Sequence, residues 1–65
     1  MEVRVWERRN ERGITLEELG KLTKISRSTL NRIENGQISP RLIHLEKIAE
    51  ALDVKITDLV ESEYL

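Results

Sequence analysis

Within SRSTLNRIENG, residues 26–36, the side chains equipped for chemistry are hydrogen-bonding groups and cations: Arg27, Ser28, Asn31, Arg32 and Asn35. Leu30 and Ile33 are the only apolar residues there. If those two face inward on a helix, the five polar residues share the outward arc and Glu34 stands at its edge. Arginine pairs bidentately with guanine, asparagine with adenine, and serine with phosphate or a base edge. The outward set therefore matches the donor and acceptor code of the DNA major groove. A face meant only for solvent usually carries Glu and Lys at i,i+4 spacing; composition alone leaves that reading open.

No rival chemistry assembles from the remaining residues. The single histidine, His44, is expected opposite the apolar stripe of its helix, at the surface. No His/Cys/carboxylate spacing suggests a metal, and there is neither a phosphate-cradling glycine loop nor a nucleophile with a base. The chain reads as a non-enzyme without a cofactor.

The elements that must hold the outward arc are legible from their caps. Thr15 and Glu18 stand at capping-box spacing and Ile14 and Leu19 at staple spacing, which predicts a helix from Thr15 to about Thr23. Ser26 caps the next helix, with Ile25 and Leu30 as its staple. Two capped helices separated by three residues form a helix-turn-helix, at about residues 15–35. Gly20 in mid-helix costs about 1 kcal/mol against Ala, which close approach of the second helix would justify. A first helix within Val3 to Arg12 ends at Gly13, a left-handed terminator. A fourth follows Pro40, with Leu42, Leu45, Ile48, Ala49 and Leu52 as its apolar stripe, and ITDLVESEYL supplies a short fifth. The expected fold is all-α: one domain over residues 1–65, a compact bundle of about five short helices. Its core would draw on Leu16, Leu19, Ile25, Leu30, Ile33, Leu45, Ile48, Leu52 and Leu59.

Sixty-five residues with 38% hydrophobic and 35% charged side chains describe a small globule with thin stability margins, which self-association would relieve. The absence of cysteine excludes a disulfide framework and suits a reducing cytoplasm. No apolar run is long enough for a bilayer and no signal-peptide pattern opens the chain, so no membrane role is expected. Net charge is −1, yet nine cations against six carboxylates give residues 1–45 a net +3, and two against six give residues 46–65 a net −4. The acid is concentrated at one end, away from the helix-turn-helix.

From about Val5 to Val60 the sequence resembles the Cro/phage-repressor, or Xre, helix-turn-helix family. The carrying residues are ERG before Ile14, TLEELGKLTKISRSTLNRIENG, Pro40 and LEKIAEALDVKITDL. The resemblance implies a lambda-repressor-like domain that binds double-stranded DNA as a transcriptional regulator, a repressor acting as a homodimer on a pseudo-palindromic operator. Its recognition helices would lie about 34–36 Å apart. Arg27, Ser28, Asn31 and Arg32 would then reach bases. Thr15, through its backbone N–H, would meet a phosphate, as would Lys24, Ser26, Thr29 and the loop backbone at Asn35 and Gly36, while Arg41 would reach toward the minor groove. Arg9 and Glu34 match a frequent ion pair between the first and third helices. The family commonly pairs near helices 4 and 5, so a dimerisation segment is expected at about 54–65. Ile56, Val60 and Tyr64 would make the contact, aided by Ile43 and by the apolar Leu65. Four residues depart from the pattern: Leu16 replaces a phosphate-contacting glutamine, Lys24 and Asp53 replace glycines, and Arg8 stands at a usually apolar position. The other function class is a protein-interaction module, such as an antitoxin, on the same fold; its third helix should show an apolar or acidic outward face.

Overall fold

The computed structural model describes residues 2–64; Leu65 lies outside them. Five helices follow in order: α1 Val5–Glu11, α2 Leu16–Thr23, α3 Arg27–Glu34, α4 Leu42–Leu52 and α5 Ile56–Leu59. Two-residue strands, β1 Glu2–Val3 and β2 Val60–Glu61, flank them and pair antiparallel, Glu2 with Glu61 and Val3 with Val60.

The local signals act as their chemistry dictates. Thr15 Oγ1 accepts from Glu18 N–H at 3.1 Å and Glu18 Oε1 accepts from Thr15 N–H at 3.2 Å, closing the capping box on α2. Ser26 Oγ accepts from Thr29 N–H at 3.1 Å and starts α3. Gly13 adopts φ 68° after α1, a conformation in which a Cβ would crowd the backbone.

One core joins all five helices. Val5, Leu19, Leu30, Ile33, Ile48, Leu52 and Leu59 are almost wholly excluded from solvent; Ile25, Leu45, Ala49 and Val60 complete the cluster. Leu16, expected in that core, packs against it only partly buried.

The C-terminal half departs from expectation in three ways. The fifth helix is a single turn, because Val60 turns extended (φ −132°, ψ 150°) to pair with β1. Val60 is thereby drawn into the chain's own core at 8% exposure, so it offers a dimer almost no side-chain surface. On α4 the buried arc is centred nearer Ile48 and Leu52 than the sequence stripe placed it. That rotation leaves Leu42 63% exposed and brings His44 to half-burial, its Nδ1 buried and unpartnered among the described residues. Ile43 points outward at 51% exposure, as expected.

The N-terminal arginines explain how so short an α1 is held. Arg8 Nε donates to the Asp58 carbonyl at 2.9 Å and Arg12 to the Asp53 carbonyl at 3.1 Å, so both cations sit on C-terminal carbonyls of other helices. Arg4 pairs with Glu61 across the ribbon and lies near Glu2 and Glu7. Recurrence of arginine at 4, 8 and 12 is the signal that sequence reasoning passed over. Like charges at i,i+4 repel mildly on an isolated helix, and here each finds an acceptor on another element.

Candidate nucleic-acid interface

The turn between α2 and α3 is built by a few backbone-directed bonds. Thr23, buried, donates from Oγ1 to the Leu19 carbonyl at 2.7 Å and accepts from Ile25 N–H at 3.3 Å. A Cβ on Gly20 would stand 3.3 Å from the Ile25 carbonyl oxygen and 3.8 Å from Leu30 Cδ1. The glycine is therefore there for close approach of the turn. Lys24 adopts φ 58°, ψ 25°, the left-handed conformation that glycine ordinarily supplies, and its N–H still reaches the Gly20 carbonyl at 2.9 Å. Lys24 is exposed.

With Leu30 and Ile33 fully buried, α3 turns Arg27, Ser28, Asn31 and Arg32 to solvent, with Asn35 at its C-cap. Arg27, Ser28 and Arg32 make no side-chain hydrogen bond or ion pair with any described residue. Glu34, the acid of this segment, is withdrawn. Its carboxylate accepts from Arg9 Nε at 2.7 Å and from the terminal guanidinium nitrogen at 3.1 Å, with 5% of its side chain exposed. Arg9 also donates to the Ile14 carbonyl at 3.0 Å. This forked, desolvated pair removes the one negative charge between Lys24 and Arg41. It leaves the cations Lys24, Arg27, Arg32 and Arg41 all exposed. The basic character of this segment is sharpened by neutralisation of Glu34 rather than by the N-terminal arginines, most of which the fold consumes.

Several expected contacts are redistributed. Thr15 cannot offer its backbone N–H to a phosphate, because the Glu18 carboxylate already holds it and brings negative charge to the same point. The N–H groups of Asn35 and Gly36 are likewise spent, on the carbonyls of Asn31 and Ile33 at 3.0 and 3.2 Å. Ser26 Oγ donates to Thr29 Oγ1 at 2.8 Å as well as capping α3, so the hydroxyl proton left for an outside acceptor is that of half-buried Thr29. Arg41 lies exposed at the N-cap of α4.

Of the expected dimer residues, Tyr64 is 88% exposed, Ile56 is half-buried and Val60 is in the core. Among the described residues, no group of three or more His, Asp or Glu could hold a metal ion, and no helix is long and apolar enough to cross a membrane.

Comparison with known proteins gives the same architecture. The model of a helix-turn-helix family matches residues 7–59. An uncharacterized HTH-type transcriptional regulator of Methanothermobacter thermautotrophicus is 40% identical over 52 residues, 80% of this chain and 75% of that protein. One from Archaeoglobus fulgidus is 37% identical over 59 residues, 91% and 84% of the two chains. The transcriptional regulator SinR of Bacillus subtilis is 34% identical over 62 residues, 94% of this chain but 56% of SinR. Among solved structures, the restriction-modification controller protein C.AhdI of Aeromonas hydrophila superposes with a TM-score of 0.83 at 33% identity, covering 88% of this chain and 86% of that one. The N-terminal DNA-binding domain of SinR superposes at 0.82 and 29% identity, covering 94% and 90%.

Proposed function

This chain belongs to the Xre/Cro-type helix-turn-helix family of DNA-binding transcriptional regulators, and from that premise we propose that it reads a specific operator as a dimeric repressor in the cytoplasm. In this reading α3 lies in the major groove with Arg27, Ser28, Asn31 and Arg32 toward base edges. Lys24, Thr29 and Arg41 supply the contacts to phosphate or minor groove.

The observation that carries the proposal is the charge balance of one segment, residues 24–41: four exposed cations, and a single acid sequestered by Arg9. Phosphate binding rewards that arrangement through counterion release. A module built to bind another protein through α3 would present apolar or acidic groups there, and this one presents neither. Dimerisation is proposed from the exposed apolar residues Leu42, Ile43 and Tyr64, which lie away from the outward arc of α3 in sequence. A two-fold pair would engage both half-sites of a pseudo-palindrome, and the second contact becomes intramolecular once the first has formed.

The test is fluorescence anisotropy on duplexes selected from a random pool, across a salt series. Affinity should fall steeply and linearly in logarithmic salt. Arg27→Ala or Arg32→Ala should cost about 1–3 kcal/mol on the selected site and relax preference at one base position. Equal losses on selected and random duplexes would demote the residue to a phosphate contact. Unchanged binding to both would remove α3 from the interface.

A further inference from the structure

On the surface of α2, Lys21 Nζ stands 3.7 Å from Glu17 Oε1, with the two side chains 78% and 68% exposed. Among the described residues this is the one ion pair in which both side chains are more than half exposed, and its length is beyond a hydrogen bond. We propose that Lys21 is a further phosphate contact for DNA, held in reserve by Glu17, which competes with the phosphate for the ammonium group. The inference rests on the DNA-reading proposal above and adds one flank of α2 to the interface.

Gly20 fixes which flank that is. A Cβ there would stand 3.3 Å from the Ile25 carbonyl oxygen and 4.0 Å from the Arg27 nitrogen, so α2 meets the start of α3 at Gly20. At 100° per residue, Glu17 and Lys21 fall about 60° and about 100° from Gly20 in one direction. Leu16, Thr23 and Leu19 fall in the other, where they are partly or wholly buried. Helix α4 borders that second side: Leu22 and Thr23 share a groove with Lys47, Glu50 and Ala51. The Glu17–Lys21 flank is therefore turned away from α4 and lies next to the first turn of α3, where Arg27 and Ser28 are exposed. In helix-turn-helix docking the start of the second helix enters the major groove while the first helix crosses the sugar-phosphate backbone. A lysine one residue from the α2–α3 contact is within a side chain's reach of that crossing.

The energetics favour an exchange of partners. An exposed i,i+4 pair gains little in water and is screened by salt, so Glu17 holds Lys21 loosely. A phosphate offers the ammonium the same charge and releases counterions besides. Transfer of Lys21 to a phosphate leaves the Glu17 carboxylate bare beside the DNA backbone, and like-charge repulsion offsets part of the gain. Affinity is thereby set below what the cations of this surface would give alone. A plain helix pair would serve only the stability of α2, and DNA affinity would be indifferent to it.

The experiment is a salt series of duplex binding by fluorescence anisotropy, on the selected site and on random duplex. It compares the unmodified chain with Glu17→Gln and with Glu17→Gln combined with Lys21→Gln. Glu17→Gln should tighten binding about two- to fivefold, the scale of one exposed ion pair. The factor should be the same on both duplexes, since a phosphate contact carries no sequence information. The plot of log affinity against log salt should steepen by about 0.9, one more phosphate neutralised. Adding Lys21→Gln should bring the slope back to that of the unmodified chain or below it. Both positions are exposed, so thermal melts should stay close together; Glu17→Ala carries the same test if glutamine unsettles the first turn. An unchanged slope in Glu17→Gln would overturn the proposal even with tighter binding, because Glu17 would then act by repulsion alone. A steeper slope that survives loss of Lys21 would overturn the assignment to Lys21, and tightening confined to the selected site would overturn the phosphate contact. Absence of salt-dependent duplex binding by the unmodified chain would defeat the DNA-reading proposal itself, whereas duplex binding that Glu17→Gln leaves unaltered would defeat this inference alone.

Discussion

Lys24→Gly should make the protein more stable and a poorer DNA binder at once. Lys24 sits at φ 58°, ψ 25° in the turn between α2 and α3, where an L-residue with a Cβ carries about 1–2 kcal/mol of steric cost. Glycine removes that cost but enlarges the unfolded ensemble, an opposing effect of about 0.4–1 kcal/mol. The lysine side chain itself adds nothing to the fold. It is exposed, and the turn is held by the Lys24 N–H bond to Gly20 and by Thr23 Oγ1, which glycine at 24 keeps. The net expectation is a gain of about 0.5–1 kcal/mol, or about 3–6 °C in melting temperature for a domain of this size. Lys24→Ala is the matched control, because it deletes the same charge while keeping the left-handed Cβ. Thermal and urea unfolding should rank glycine above both lysine and alanine. Asp53 is also left-handed, at φ 55°, but Asp tolerates that region better than Lys, so Asp53→Gly should gain less. In anisotropy titrations both Lys24 variants should bind DNA more weakly, with a salt slope reduced by about 0.9 for each phosphate no longer neutralised. Equal stability of Lys24→Ala and Lys24→Gly would refute the strain argument, and an unchanged salt slope would refute the phosphate contact.

Glu34→Gln should destabilise by about 3 kcal/mol, because it leaves the desolvated Arg9 guanidinium without its counter-charge; a loss under about 1 kcal/mol by urea unfolding would show that solvent reaches the pair freely. Ile43→Glu with Tyr64→Glu should give a folded monomer with weakened operator binding, whereas Val60→Glu should not fold, since Val60 is buried and paired with Val3. Sedimentation of the unmodified chain as a monomer at tens of micromolar, with full affinity in the double variant, would end the dimer reading. Glu61 is held below the usual carboxylate range by a hydrogen bond from Arg4 and then by its charge. Its contribution is therefore present above the ordinary carboxylate pKa and is lost as pH falls through the lower folded value. Melting temperature should decline less steeply on acidification in Glu61→Gln than in the unmodified chain, and identical slopes would remove the ribbon ion pair from the acid limb.

The parts of this molecule legible in its sequence are those governed by neighbours three or four residues apart. The Thr15–Glu18 box, the Ser26 cap, the left-handed stop at Gly13 and the close approach at Gly20 each depend on a short stretch of backbone, so residue type and spacing suffice. The outward arc of α3 follows once Leu30 and Ile33 are set inward, because a helix has a single period. The Arg9–Glu34 pair spans 25 residues and is reached only through family resemblance, yet its forked geometry is present in full. What only the assembled structure decides is which donors remain free and which apolar residues remain outside. The N–H groups of Asn35 and Gly36 are open in the sequence, but the last carbonyls of α3 claim them; the Thr15 N–H, by contrast, is already spoken for by the capping box that the sequence shows. Leu42 and His44 exchange roles because the rotation of α4 about its axis is set by the helices packed against it, to which its own periodicity is blind within a few tens of degrees. Pairing of Val3 with Val60 joins β1 to β2 through strands of two residues. Strands that short leave no alternation to read, and the loop closed between them carries no local mark, so packing of the finished core alone determines that Val60 turns in and β1 meets β2.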